Sequence, residues 1–113
     1  RSDPDLAAEI RRRTLTLEDL LGLDDRSMQR LLREVDGRDL ALALRGASDA
    51  LREKVLRNKT LREAEALREE IAAVGPVRVR LVEEAQHSLL TAARRLRESG
   101  EITLARDGDD VLV

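Results

Sequence analysis

Thr60-Leu61-Arg62-Glu63-Ala64-Glu65-Ala66-Leu67-Arg68-Glu69-Glu70-Ile71-Ala72-Ala73-Val74, followed by Gly75-Pro76, carries the marks of one amphipathic helix from start to stop. Thr60 with Glu63 forms a capping box at its head. Gly75-Pro76 ends it, since proline cannot continue the hydrogen-bond ladder and glycine suits the exit. At ~100° per residue, Leu61, Ala64, Leu67, Ile71 and Val74 gather on one side, and Arg62, Glu65, Glu69 and Glu70 on the other. The first side predicts a core face. The second predicts a solvent face with a basic residue first and acidic residues after it. Periodicity alone favours an ordinary solvated stripe, because such faces are usually held by weak helix pairs of ~0.3–0.5 kcal/mol and meet no partner.

Working outward, the same punctuation repeats. Ser48 caps a helix with Leu51, Val55 and Leu56 inward, which Asn58 ends through its tolerance of the left-handed conformation. Asp24 caps a helix carrying Met28, Leu31, Leu32 and Val35 at spacings of three and four. Asp36-Gly37 reads as a turn, and Leu40, Ala43 and Leu44 lead up to Gly46 as a helix C-cap. Thr16 and Asp19 resemble a capping box for a short helix ending near Gly22. Asp3-Pro4 starts a first helix to about Arg13, with Leu6 and Ile10 on one side. A long last helix runs from about Leu81 to Ser99, with Val82, Ala85, Leu89, Ala92, Ala93 and Leu96 inward and Gly100 ending it. Ile102, Leu104, Asp107-Gly108 and Val111-Leu112-Val113 fit a small C-terminal hairpin. The prediction is all-α: a compact bundle of about six short helices preceded by a partly detached one. None is long enough to stand alone, so they pack together.

Composition narrows the chemistry. The 113 residues are one domain's length, with no Cys, one His, and no Phe, Trp or Tyr. Thiolate zinc, disulfides and cysteine nucleophiles are thereby excluded, as are base stacking and aromatic cages. With 21 Lys and Arg against 23 Asp and Glu, the net charge of −2 argues against nucleic acid as partner. No apolar run approaches the ~18 residues of a membrane span, so direct membrane insertion is not expected.

Single residues add little. His87 falls opposite Val82 and Leu89 and reads as an ordinary exposed residue. Arg11-Arg12-Arg13 suits a helix C-terminus better than a phosphate site. Asp24-Asp25 and Asp109-Asp110 lack the loop spacing of a calcium site, and Asp24 is better used as a cap. No acidic pair faces another across a cleft, so no catalytic constellation emerges and neither cofactor nor metal is expected.

The order of residues carries more. Leu23-Asp24-Asp25-Arg26-Ser27-Met28-Gln29-Arg30-Leu31-Leu32-Arg33-Glu34-Val35-Asp36 closely resembles the helix opening the C-terminal domain of FliG, the flagellar rotor switch protein. The likeness continues in register through LALALRGAS from Leu40 to Ser48 and LREKVLRN from Leu51 to Asn58. It goes on through GPVRVRLVEEAQ from Gly75 to Gln86 and ARRLRESGEI from Ala93 to Ile102. It covers the chain from about Ile10 onward without a gap.

The resemblance implies a force-transmitting rotor component, not an enzyme, in the cytoplasm at the inner-membrane face of the flagellar basal body. Residues 1–13 would be the last helix of a preceding armadillo-like domain, 14–17 a hinge, and 18–113 the torque-generating domain. Its implied partners are the stator protein MotA, the rotor ring protein FliM, and neighbouring FliG copies through helix exchange. The family's basic residue in its ALKG stretch falls on Arg45, and the one opening the torque helix falls on Arg62. Its acidic pair falls on Glu69 and Glu70, and the basic residue of GPVR on Arg78; all five signs are kept.

Departures are also visible. The family's Met-Phe-x-Phe hinge is replaced by Thr14-Leu15-Thr16-Leu17, which loses ring area and predicts a looser hinge. Arg80 stands where a small capping residue is common, predicting a later start for the last helix. The Leu6–Ile10 face lacks its partners, so the first helix is expected to be mobile, exchanged with another copy, or covered by a neighbour. Two other readings stand beside the rotor. One is a regulatory domain similar to the magnesium-transporter N-terminal superhelix, with acidic faces for Mg²⁺; the other is a diverged paralogue outside motility.

Overall fold

The structure is a computed structural model and describes residues 15–104. The expected first helix, Thr14 of the expected hinge and the part of the expected hairpin beyond Leu104 lie outside them. A 3₁₀ helix, Leu17–Gly22, is followed by five α-helices: α1 (Asp25–Glu34), α2 (Gly37–Arg45), α3 (Asp49–Arg57), α4 (Leu61–Ala73) and α5 (Val79–Glu98). Among the described residues there is no strand, only an isolated antiparallel bridge between Leu23 and Leu104. The fold is all-α, as the periodicity predicted.

Local chemistry places the helix starts. Thr16 and Asp19 form a reciprocal capping box on the 3₁₀ helix, and Thr60 and Glu63 form another on α4. Asp24 and Ser48 accept hydrogen bonds from the N–H groups of Ser27 and Leu51. Each cap satisfies a donor the helix itself leaves open, typically worth about 1 kcal/mol at a Ser or Thr cap. The helix exits use glycine where positive φ is needed: Gly75 at 63° and Gly100 at 81°.

The central element is α2. Leu40, Ala41, Ala43 and Leu44 are all buried, so this helix is apolar around much of its circumference. It packs most extensively on α5, where Ala85, Leu89, Ala92 and Ala93 are buried, and then on α4 through Ala64 and Leu67. Alanines on both α2 and α5 bring the two backbones close, which a core without aromatic rings requires. Leu15 joins the core, and Leu17 and Ile71 pack partly against it. Thus two residues of the expected hinge segment, Leu15 and Leu17, pack on the bundle, while Thr16 caps the 3₁₀ helix.

Several expectations are refined or corrected. Leu61, placed on the inner side by the wheel, is 90% exposed. It is the first residue of α4, one turn short of where α4 meets its neighbours, so angular position has nothing to pack against. Asn58 ends α3 at φ −93°, not in the left-handed region; its side-chain amide instead donates to the Lys54 carbonyl at 2.9 Å. Gly46 is the C-cap of α2 as expected, though at φ −106° rather than in the left-handed region. A Cβ there would stand 2.8 Å from Val82 Cγ1, and close approach of α5 is its reason. Finally, α5 begins at Val79 rather than about Leu81: extended Arg78 caps it with its own carbonyl, which accepts from Leu81 and Val82. Gly37 likewise opens α2 instead of forming a turn.

The segment 101–104 straps α1 to the end of α5. Ile102 and Leu104 are buried, Thr103 N–H donates to the buried Ser27 hydroxyl at 3.1 Å, and Glu101 meets Arg30 at 2.9 Å. Hydrogen bonds from the Ser99 hydroxyl and then Arg30 hold the Glu101 carboxyl below its ordinary pKa, and the Ser27 backbone and hydroxyl do so for Asp24. Both groups ionise more readily folded than unfolded. Their contribution is therefore complete above the unfolded carboxylate values near pH 4, and is lost as pH falls through the lowered folded values. The urea midpoint is expected to fall between about pH 6 and pH 2.5, with a smaller drop in Glu101→Gln; an identical drop in that variant would remove Glu101 from the account.

Candidate functional site

Each of the charged positions singled out above is set by a helix or its end. Arg62, Glu69 and Glu70 ride on α4, Arg45 is the last residue of α2, and Arg78 is the N-cap of α5. All five are exposed. Among the described residues none of the five is held in an ion pair. Some charges elsewhere are paired within the chain: Arg30 with Glu34 and Glu101, Arg95 with Glu34, Arg52 with Asp49, and Arg80 with Glu84. His87 is exposed, as read from the wheel.

The five do not form one row. Arg62 and Glu69 are two turns apart and lie within ~20° of each other on the helix surface, whereas Glu70 is turned ~80° from Arg62. Glu70 leans toward α2, its Oε1 lying 4.0 Å from where a Cβ on Gly37 would stand. It lines a groove of about 360 Å³ with Arg38, Leu42, Val77 and Leu81. Arg45 lines a second groove of about 490 Å³ with Val77, Val79 and Val82. Val77 belongs to both grooves, so Arg45 and Glu70 flank the α4–α5 turn from two sides, with Arg78 following directly. Arg62 stands apart at the opposite end of α4, ~12 Å from Glu70 along the axis.

Two neighbours of this surface were not legible in the sequence. Arg38 comes from a different helix and meets the Glu70 groove only through folding. Val79 is 70% exposed beside Arg78, because α5 starts early enough to carry it out of the core. Among the described residues no three His, Asp or Glu are grouped to hold a metal ion, and no helix is long and apolar enough to cross a membrane.

Comparison with known proteins gives a consistent answer. The family described as "FliG C-terminal domain" matches residues 1–104. The chain is 55% identical to the flagellar motor switch protein FliG of Thermotoga maritima, over 98% of this chain and 33% of that protein. It is 46% identical to the protein of the same name from Bacillus subtilis, with the same coverage of each chain. Among solved structures, FliG residues 116–343 of H. pylori superpose with a TM-score of 0.82 at 34% identity, over 89% of this chain and 44% of that one. Full-length FliG of Aquifex aeolicus gives 0.76 at 35%, over 87% and 30%. The names describe a motor component rather than an enzyme, and this chain spans about a third of the length of the curated relatives it matches. With the helix order, the register of its motifs and these likenesses in agreement, the chain belongs to the FliG C-terminal domain family.

Proposed function

We propose that this chain is the force-receiving part of a flagellar motor switch protein, and that Arg45, Arg62, Glu69, Glu70 and Arg78 engage opposite charges on the stator protein MotA. The observation that carries this reading is that these five side chains are exposed and, among the described residues, in no salt bridge of the chain's own, so their charges are open to a partner. Exposed ion pairs are worth ~0–1 kcal/mol and reach about one Debye length, ~8 Å at physiological salt. Such contacts form quickly and release easily, which a passing stator requires. Arg62 and Glu70 are separated along α4 by more than that length, so each end presents its own sign and the stator reads orientation as well as position.

In this reading residues 1–13 close the preceding armadillo-like domain, 14–17 are the hinge, and 18–113 bear the torque. The burial of Leu15 and the partial packing of Leu17 on the bundle support the reading that this segment is attached to the torque-bearing domain. FliM and neighbouring copies of the protein are the remaining partners, at the cytoplasmic face of the inner membrane. Arg62→Glu is expected to slow swimming, and reversal of an acidic stator residue to Lys is expected to restore part of the speed. Unchanged swimming, or equal restoration by a stator change that leaves charge alone, refutes the assignment of Arg62.

A further inference from the structure

We infer that a second surface, at the end of α4 away from the α4–α5 turn, docks an acidic segment of a partner polypeptide. The inference stands on this surface alone and does not require the stator reading. A groove of about 550 Å³ runs between α1 and the α3–α4 turn. Three cations line it from three places in the chain: Arg33 on α1, Arg57 at the end of α3, and Lys59 in the turn. None has an acidic partner within 4.0 Å among the described residues. The one acidic residue on the groove, Glu63, is already committed, accepting from the Thr60 N–H at 3.2 Å.

The groove is built before anything enters it. Gln29 on α1 donates to Asn58 Oδ1 at 3.2 Å, tying the two walls together, and the Asn58 amide is fixed in turn on the Lys54 carbonyl. Leu32 offers an apolar strip inside, and Leu61, next to Thr60 in the chain, is 90% exposed. The occupant that fits is an extended segment with two or three carboxylates around one aliphatic side chain. A single small anion is disfavoured, because none of the three cations is buried and exposed pairs are individually weak. An anionic bilayer is disfavoured too, because a flat surface does not enter a concave groove and Glu65 and Glu69 on the same helix repel it.

The probe is a blocked peptide Gly-Glu-Glu-Leu-Glu-Gly, three carboxylates around one Leu, added to the ¹⁵N-labelled full chain. Amide shifts are expected at residues 29–33 and 57–63 and are expected to weaken as salt is raised. Arg33→Gln with Arg57→Gln and Lys59→Gln is expected to lower the affinity about tenfold with its melting temperature unchanged. Arg45→Gln with Arg78→Gln, which removes cations elsewhere, is expected to leave the affinity in place. Shifts spread over the whole basic surface, equal loss in the Arg45/Arg78 variant, or no localised shifts would overturn the inference. So would the same shifts produced by pyrophosphate, or by vesicles of phosphatidylglycerol, in place of the peptide.

Discussion

Glu69→Lys combined with Glu70→Lys is expected to abolish swimming in a motile host while leaving the purified chain folded. In the proposed contact each substitution turns an attraction for a stator cation into a repulsion, and the two residues face different directions, toward the Arg62 line and toward α2. A stator approaching from either side therefore meets the wrong sign. The fold has little reason to suffer. Both positions are exposed, Lys is as good a helix former as Glu, and both lie near the C-terminal end of α4, where positive charge suits the helix dipole. Surface changes of this kind stay within about 0.5 kcal/mol, which moves Tm by about 2–4 °C at most in a domain of this size. Swimming at the wild-type rate with the variant incorporated in the motor would remove both residues from the stator contact. A collapsed melting curve would mean that the loss of motility reports on folding.

The second large effect concerns Gly46. Its Cβ position is 2.8 Å from Val82 Cγ1 and 3.1 Å from Gln86 Nε2. Val82 is β-branched and stiff at χ1, and Gln86 is held by donating to the Ala43 carbonyl at 3.1 Å. Neither neighbour yields without cost. Gly46→Val is therefore expected to destabilise the domain by about 1–3 kcal/mol by prying α5 away from α2. Urea unfolding checks this through a lower midpoint at an unchanged slope. An unchanged midpoint would mean that the α2–α5 contact accommodates a side chain and that Gly46 is dispensable. Because Arg45 precedes Gly46 and lines the adjoining groove, the same variant is expected to displace one of the proposed stator charges.

The start of each described helix that a side chain caps was readable because the cap is a local event. Thr16, Asp24, Ser48 and Thr60 each bond a backbone group three residues away, and four consecutive residues suffice to specify that. The core faces of α1, α2, α3 and α5 followed from spacing for a similar reason, since residues three and four apart share a side of any helix. The errors cluster where the outcome depends on a distant element. The wheel put Leu61 inward without information on where α4's neighbour ends. Gly46 caps α2 as its composition suggests, and only the close approach of α5 adds a second reason for glycine there. Asn58 is a local exception, closing its helix through its own amide without the left-handed conformation. The exposed charges and the spacing of Arg62 from Glu69 and Glu70 along α4 were legible in the sequence, but the meeting of Arg38 with Glu70 was not.

Composition, caps and apolar spacing by themselves determined an all-helical domain without thiol or aromatic chemistry, because hydrogen bonds within one turn and the 3.6-residue period are properties of neighbouring residues. The order of motifs determined the family for a related reason: it preserves which residue follows which. Only the tertiary structure decided that Arg33, Arg57 and Lys59 share one groove and that Arg45 and Glu70 flank one turn. Those arrangements depend on how closely helices approach and where each one ends, which are set by side chains far apart in the chain packing against each other.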